Sequence, residues 1–191
     1  MTDDMTRART PSQTVGPFFD FCLTPDRTHG RVFPDSTPRI RLIVRVIDGA
    51  GDPVPDAVVE IWQVGDVPGR DTGFGRLGTG EDGSCEFDTV RPCDPAEGAA
   101  HINVCLFARG LLRHLHTRLY FADDPRLAQD PVLALVPETR RSTLLARSSD
   151  LRPPVSDLRP PASGGPPTSG LRPYTFDIHL QGPRETVFFD V

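Results

Sequence analysis

The residues of this sequence that are best suited to chemistry lie between positions 99 and 121, in the segment AAHINVCLFARGLLRHLHTRLYF. One residue separates His101 from Asn103, and one residue separates His114 from His116. On a β-strand, side chains with this spacing project from the same face about 7 Å apart, and two imidazoles so placed can chelate a transition metal. Because a neutral amide is a poor transition-metal ligand, His101 and Asn103 make only half of such a site.

The three histidines of this segment leave two interpretations open. His101, His114 and His116 could together form a zinc or iron site, because imidazole suits both metals. Alternatively, His101 is hydrogen-bonded inside the core and the H-x-H pair lies on a polar or interfacial face. The second interpretation fits the alternation of the pair with Leu115, Thr117 and Leu119. Metal analysis of the isolated chain distinguishes the two.

Arg109 ends the first half of the segment, directly before Gly110. Its guanidinium presents a planar fork of donors that can bind a carboxylate through two hydrogen bonds. An arginine at a hairpin tip can equally be solvated. The sequence contains no G-x-S-x-G, P-loop or G-x-G-x-x-G motif, which argues against the hydrolases and nucleotide-binding proteins that carry them.

Strands are the elements predicted to position these side chains. In residues 101–109, apolar and polar residues alternate, as expected for a strand with one face on the core. The core face is predicted to carry Ile102, Val104, Leu106 and Ala108, and the opposite face His101, Asn103, Cys105, Phe107 and Arg109.

Further strands are predicted along the chain. They lie at 39–47, 58–63, 85–90, 174–181 and 186–191, with an Asp-Gly hairpin turn before the third, and a second strand follows Arg109-Gly110 within residues 99–121. ETRRSTLLARS (138–148) is the best candidate for a helix, being short and amphipathic. Seven or eight short strands with regular turns predict an all-β fold, an antiparallel β-sandwich with one short helix and long loops.

The length of 191 residues predicts a single domain, 1–191, with two appendages. An N-terminal arm, residues 1–23, is predicted to be an extended segment that docks, because its end contains Phe18, Phe19, Phe21 and Leu23. Residues 148–173 are rich in proline and contain DLRPP twice. This composition predicts a solvated insertion, with a proline-rich ligand for another domain as the alternative.

Composition argues against several other classes of protein. The net charge of −5 argues against a nucleic-acid partner. The sequence contains no apolar run of about 18 residues, so no membrane span is predicted. The N-terminus lacks the apolar segment of a signal peptide. The four cysteines have no C-x-x-C spacing. We therefore expect free thiols, packed as small apolar side chains, in a soluble cytoplasmic protein.

Five segments in order carry a resemblance to a known family: PSQTVGPFF (11–19), VVEIWQ (58–63), AAHINVCLFARG (99–110), LHTRLYFADD (115–124) and YTFDIHLQGPRETVFFDV (174–191). Together they resemble the intradiol ring-cleaving dioxygenases and, more narrowly, the family of α subunits of protocatechuate 3,4-dioxygenases. The resemblance covers nearly the whole chain outside 148–173 and the polar N-terminus. It implies a β-sandwich that works in a hetero-oligomer with a β subunit.

The resemblance also implies where iron is bound. The β subunits of that family hold a non-haem Fe(III) with two tyrosines and two histidines, the latter in H-x-H. In this chain the corresponding positions are His101, Asn103, Asp71 and Pro95. One of four ligands remains, so the resemblance implies a vestigial site without metal, an inactive isolated chain and Fe(III) held by the partner β subunit.

A role at the partner's active site is implied for four further residues: Thr14, Gly16, Pro17 and Arg109. The substrate implied is 3,4-dihydroxybenzoate, which is cleaved with O2 to 3-carboxy-cis,cis-muconate in the β-ketoadipate pathway of aromatic catabolism. Glycine in the arm allows close backbone approach, proline restricts the arm, and the arginine offers positive charge to an anionic substrate.

Two other functions stay open at this point. One is a self-sufficient intradiol dioxygenase acting on a catechol-type substrate, with an unusual metal site from His101, His114 and His116. The other is a non-catalytic, transthyretin-like binding module, which the same fold permits.

Overall fold

Nine β-strands form the framework of the chain in the computed structural model, which describes residues 10–16, 18–24, 28–33, 40–66, 72–93, 98–148 and 171–190. The strands are β1 (His29–Arg31), β2 (Ile40–Ile47), β3 (Val58–Val64), β4 (Thr72–Gly78), β5 (Ser84–Thr89), β6 (His101–Phe107), β7 (Leu115–Phe121), β8 (Leu145–Ser148) and β9 (Arg172–His179). The helices are α1 (Phe18–Leu23), α2 (Pro131–Leu135) and α3 (Glu138–Arg141), with short 3-10 turns at Leu127–Gln129 and Ser142–Leu144.

The strands are hydrogen-bonded in the order β1-β5-β2-β9-β8-β7-β6-β3-β4. β8 pairs with β7 on one side and β9 on the other, so it connects the two halves of the sheet. The all-β prediction is confirmed, and the structural relatives described below share the fold. Three of the strand pairs, β1–β5, β2–β9 and β7–β8, are parallel. The pairing is therefore not antiparallel throughout.

The hydrophobic core lies between the two halves of the sheet. Alternate residues of β2, including Leu42 and Val44, are fully buried, and so are Ile102 and Leu106 of β6. They belong to one continuous cluster of apolar side chains. The alternation predicted for 101–108 is confirmed, because each strand places every second side chain on the core. The other residues of β6 are left on the outer face of its half-sheet.

The segment predicted as a helix at 138–148 is divided into three elements. Only Glu138–Arg141 is α-helical, a 3-10 turn follows, and Leu145–Ser148 is strand β8. Leu144 is fully buried in a second small apolar cluster, and Ala146 is fully buried in the main core. Pairing with β7 and β9 therefore overrides the weak helical pattern, and the helix prediction is wrong beyond Arg141.

Both ends of the chain differ from the predicted strands. Residues 186–190 form no strand but make one isolated bridge, in which the Phe189 amide donates to the His116 carbonyl at 2.8 Å. At the other end, Phe18–Leu23 is a helix rather than extended chain. Its last turn is closed by Thr24, whose amide donates to the Asp20 carbonyl at 2.8 Å.

The proline-rich insertion lies mostly outside the described residues. Of the predicted range 148–173, Ser148 ends β8, and Arg172 and Pro173 begin β9. Residues 1–9 of the N-terminal arm are also outside the described part of the chain. Among the described segments, no helix combines the length and the hydrophobicity needed to cross a bilayer.

Asp130 fixes the entry into β6. Its side chain caps α2 by accepting from the amides of Val132 and Leu133, at 3.0 and 2.8 Å. It also accepts from the Ala99 amide at 3.0 Å and from the Tyr120 hydroxyl at 3.0 Å. Burial raises the pKa of this carboxyl, but the hydrogen bonds from Leu133, Ala99 and Tyr120 together lower it below its ordinary value. Asp130 therefore holds the start of β6 and the end of β7 in register.

Candidate functional site

The outer face of the half-sheet β4-β3-β6-β7 carries most of the residues singled out from the sequence. Strand register arranges its side chains in cross-strand rows. One row is Arg118, Asn103, Trp62 and Phe74, and the next is His116, Cys105, Glu60 and Arg76. His101 and Tyr120 face each other beyond the first row. We use "outer face" for these side chains together with His114.

His101 lies at the start of β6 and is held by its own neighbourhood. Its Nδ1 is 3.0 Å from the Ala99 carbonyl oxygen, and its ring lies 5.6 Å from that of Tyr120. The pKa of His101 is lowered mainly by burial, and the nearby Arg118 guanidinium lowers it further. His101 is therefore neutral at pH 7, with one ring nitrogen engaged by the main chain.

The surroundings of His101 do not fit an Fe(III) site. Asn103, at the second ligand position, is exposed and lies opposite Arg118, whose positive charge also lowers the pKa of His101. Across the described part of the chain, His101 belongs to no cluster of three or more histidine, cysteine or carboxylate ligands. Asp71 and Pro95 lie outside the described residues. Among the described residues, the imidazole of His101 therefore has no set of anionic oxygen ligands of the kind that holds ferric iron.

Both tyrosines of the chain are engaged elsewhere. The Tyr120 hydroxyl donates to Asp130 at 3.0 Å, and burial is the main reason that the pKa of this phenol rises to about 12. The Tyr174 hydroxyl donates to Asp123 at 2.9 Å, beside Arg91, and burial also raises its pKa. Both phenols are therefore neutral hydrogen-bond donors inside the fold rather than phenolate ligands.

The three-histidine site is wrong in the described structure. Antiparallel register places Tyr120 opposite His101 and Cys105 opposite His116, four residues further along β6. At the rise of a strand, four residues correspond to about 13 Å. His114 and His116 instead lie close to Cys105, a residue that was expected only to fill space. The Arg-Gly pair did not reveal this register, because a two-residue turn at Arg109-Gly110 would place Cys105 opposite His114, whereas β6 ends at Phe107 and β7 begins only at Leu115.

Of the four predicted substrate-contacting residues, Thr14 and Arg109 lie together at the tip of the β6–β7 hairpin. The Gly110 amide donates to the Thr14 hydroxyl at 2.6 Å, which attaches the arm next to Arg109. Arg109 is 53% exposed and makes an ion pair with Asp56 through Nη2. Among the described residues, none outside its chain neighbours approaches the position that a side chain at Gly16 would occupy to within 4 Å. Pro17 lies outside the described residues.

The end of the arm exposes its apolar residues. None of the residues of α1 is buried, and Phe18 and Phe21 are 76% and 72% exposed. Within the described chain, the arm therefore does not bury the phenylalanines that were expected to dock. Trp62 and Phe74 of the outer face are also exposed and stack with ring centroids 4.4 Å apart. Exposed aromatic groups of this size mark a contact surface.

Replacing Thr14 by valine tests the attachment of the arm. The variant loses the acceptor for the Gly110 amide, so we expect that amide to exchange with solvent at least tenfold faster. Stability should change by less than about 1 kcal/mol, because the bond is exposed. Thr14→Ser keeps the hydroxyl and serves as the control. Unchanged exchange at Gly110 in Thr14→Val would contradict the attachment.

Comparison with known proteins gives a consistent set of relatives, although no family model matches the chain. The chain is 41% identical to the protocatechuate 3,4-dioxygenase alpha chain of Burkholderia cepacia, over 97% of this chain and 99% of the relative. It is 36% identical to the alpha chain of Pseudomonas putida, over 95% and 96%. A more distant relative is the beta chain of Burkholderia cepacia, 33% identical over 58% of this chain and 56% of the relative.

A solved structure supports the same grouping. The dioxygenase domain of a dioxygenase carbohydrate-binding protein fusion from Streptomyces sp. SirexAA-E is 27% identical, with a TM-score of 0.57. The match covers 94% of this chain and 100% of that domain.

Proposed function

The chain belongs to the family of protocatechuate 3,4-dioxygenase alpha chains, within the intradiol ring-cleavage dioxygenases, and we propose that it is the iron-free subunit of such an enzyme. The proposed partner is a protocatechuate 3,4-dioxygenase beta chain that holds a single Fe(III). The complex cleaves 3,4-dihydroxybenzoate with O2 to 3-carboxy-cis,cis-muconate, an oxidoreductase reaction in which both oxygen atoms enter the product. The iron supplies the oxygen chemistry from the partner, and this chain contributes binding and charge.

The groups that surround His101 are the observation that carries the proposal. A neutral imidazole, an exposed amide and the Arg118 guanidinium meet there, while Tyr120 and Tyr174 donate to carboxylates elsewhere. A trivalent cation would meet one neutral ligand and a fixed positive charge, which is unfavourable in the low dielectric of a partly buried site. We therefore assign the iron to another chain.

The arm and Arg109 are the parts of this chain that we assign to the partner's pocket. Thr14 and Arg109 are neighbours at the tip of the hairpin, because the Gly110 amide binds the Thr14 hydroxyl. An arginine at this tip can bind the carboxylate of 3,4-dihydroxybenzoate through two charge-assisted hydrogen bonds. The open space around Gly16 leaves its backbone accessible to a second chain. Pro17 is assigned to the same arm on the resemblance alone.

A partner also accounts for apolar surface that the described chain leaves exposed. Phe18 and Phe21 of the arm, and Trp62 and Phe74 of the outer face, are the aromatic groups that we assign to the subunit contact. The second histidine position of the vestigial site, Asn103, lies in the same row as Trp62 and Phe74. All four cysteines are free thiols, which fits a reducing compartment and the cytoplasm.

Co-expression with a beta chain from the same genome tests the proposal. We expect a stable complex that converts 3,4-dihydroxybenzoate with uptake of one O2 per ring, whereas the chain expressed alone has no activity. Formation of a complex with no ring cleavage would contradict the enzymatic role. The absence of any complex would instead favour a binding module for a different partner.

A further inference from the structure

A cysteine and two histidines converge at the hairpin end of the outer face, away from the vestigial iron position. Ligand atoms of Cys105, His114 and His116 all lie within 4.8 Å of one another. Cys105 and His116 are directly opposite on β6 and β7, and His114 immediately precedes β7. The two imidazole rings are 4.8 Å apart at an interplanar angle of 86°. Two neighbouring strands and the residue just before β7 therefore bring three possible metal ligands close together.

We propose that Cys105, His114 and His116 form a binding site for a zinc ion. A thiolate and two imidazoles are the donors that Zn²⁺ prefers, and three protein ligands leave a fourth tetrahedral position for water or another ligand. Tetrahedral zinc with ordinary bond lengths needs donor atoms about 3.3 to 3.6 Å apart. The present arrangement therefore has to contract by roughly 1 Å, which rotation of a surface side chain supplies.

The cluster combines two fixed ligands with one adjustable ligand. Cys105 is 6% exposed in the middle of a strand, and the His116 carbonyl accepts from the Phe189 amide at 2.8 Å. His114 is exposed and lies before the strand begins, with its ring 5.4 Å from that of Phe107. The strands therefore preorganise two donors, and His114 can move to complete the site.

The charges in the row of the cluster balance each other. Glu60 of β3 is directly opposite Cys105 on the side away from His116, and its carboxylate binds Arg76 at 2.7 Å. Within the described residues, no hydrogen bond or ion pair engages the thiol of Cys105 or the ring nitrogens of His114 and His116. The three donors are available to a metal, and the carboxylate in the same row is already paired with Arg76.

This site is separate from the family's iron position in both place and chemistry. It lies four residues along β6 from His101, and it uses a soft thiolate where ferric iron requires anionic oxygen. Its existence does not depend on whether the partner chain holds iron. Failure of the proposed function would therefore leave the zinc site untouched, and failure of the zinc site would leave the proposed function untouched.

Titration of the full chain with Co²⁺ under reducing conditions tests the site. Co²⁺ adopts the tetrahedral geometry of zinc and reports a bound thiolate by a charge-transfer absorption band. We expect one equivalent to produce this band and Zn²⁺ to displace it. Cys105→Ser should abolish the band, and His114→Asn should weaken Co²⁺ binding by at least about 10- to 100-fold. Cys22→Ser, at an exposed thiol, is the matched control and should bind normally.

His114→Asn decides the test because its exposed position does not endanger folding, whereas Cys105 is buried. Zn²⁺ should raise the melting temperature of the wild-type chain and raise that of His114→Asn much less, since the variant binds the metal more weakly. Absence of a thiolate band at one equivalent of Co²⁺ would overturn the proposal. Equal Co²⁺ affinity of the wild type and His114→Asn would overturn it as well.

Discussion

Replacing Asp130 by alanine is expected to lower the free energy of unfolding by about 3 to 5 kcal/mol, from lost capping of α2 and two orphaned buried donors. The orphaned donors are the Ala99 amide and the Tyr120 hydroxyl, which both bind this carboxylate at 3.0 Å. A loss of this size is a large share of the 5 to 15 kcal/mol that typically stabilises a domain. Denaturant unfolding followed by circular dichroism measures it.

Asp52→Ala is the matched control for Asp130→Ala. Asp52 is exposed in the turn after β2, and we expect its replacement to change stability by less than about 0.5 kcal/mol. Equal stability of Asp130→Ala and wild type would contradict the role of Asp130 in holding β6 and β7. Loss of stability confined to α2, seen as local amide exchange, would restrict that role to capping.

The pH dependence of stability is a second test of the stabilising role of the Asp130 carboxylate. Its pKa is lower in the folded chain than in the unfolded chain, so the carboxylate stabilises the fold above its unfolded pKa of about 3.9. This contribution is lost as the pH falls through the folded-state pKa. Asp130→Asn should therefore lose less stability than the wild type between neutral and acidic pH. Parallel pH profiles of the two proteins would contradict this assignment.

Replacing Arg109 by alanine is expected to lower kcat/KM of the complex for 3,4-dihydroxybenzoate by about 10- to 100-fold, the effect of removing a hydrogen-bonded charge pair. Catechol, which lacks the carboxylate, should be affected much less. Arg109 is half exposed at the hairpin tip, and its ion pair with Asp56 lies at the surface. Folding and iron content of the complex should therefore stay near normal, as metal analysis and thermal unfolding would measure.

Arg109→Lys separates charge from geometry. It keeps the positive charge and loses the planar fork, so we expect an intermediate loss for the carboxylated substrate. Asp56→Asn removes the ion-pair partner and distinguishes a positioning role of that pair from a direct role of Arg109. Equal losses for catechol and 3,4-dihydroxybenzoate in Arg109→Ala would contradict carboxylate binding and indicate a general effect on the pocket.

The strands that could be predicted are those with strong alternation. β2 alternates along its whole length, and β3, β6 and β7 alternate over part of theirs, a periodicity that is visible in the sequence. Val58, Cys105 and Tyr120 are buried in addition. β8 could not be predicted, because its four residues follow a helical turn and are stabilised by pairing with two distant strands. Parallel pairs such as β2–β9 depend on chain crossings that local patterns do not contain.

The site was only partly predictable for a related reason. His101 and Asn103 could be placed on one face from spacing alone, and the resemblance identified that face as the iron position of the family. The pairing of Cys105 with His116 required the register of the hairpin, and a shift of one residue would turn each side chain to the other face. The helix at Phe18–Leu23 was missed because its pattern of aromatic residues has no clear period.

Iron content tests the central claim most directly. We expect the chain expressed alone in iron-replete medium to contain no stoichiometric iron, and its complex with the beta chain to contain one iron per pair of chains. In the complex, Asn103→His in this chain should leave that ratio unchanged, because the Arg118 guanidinium still faces the position. One tightly bound iron in the isolated chain, or two in the complex, would contradict the assignment of this chain as the iron-free subunit.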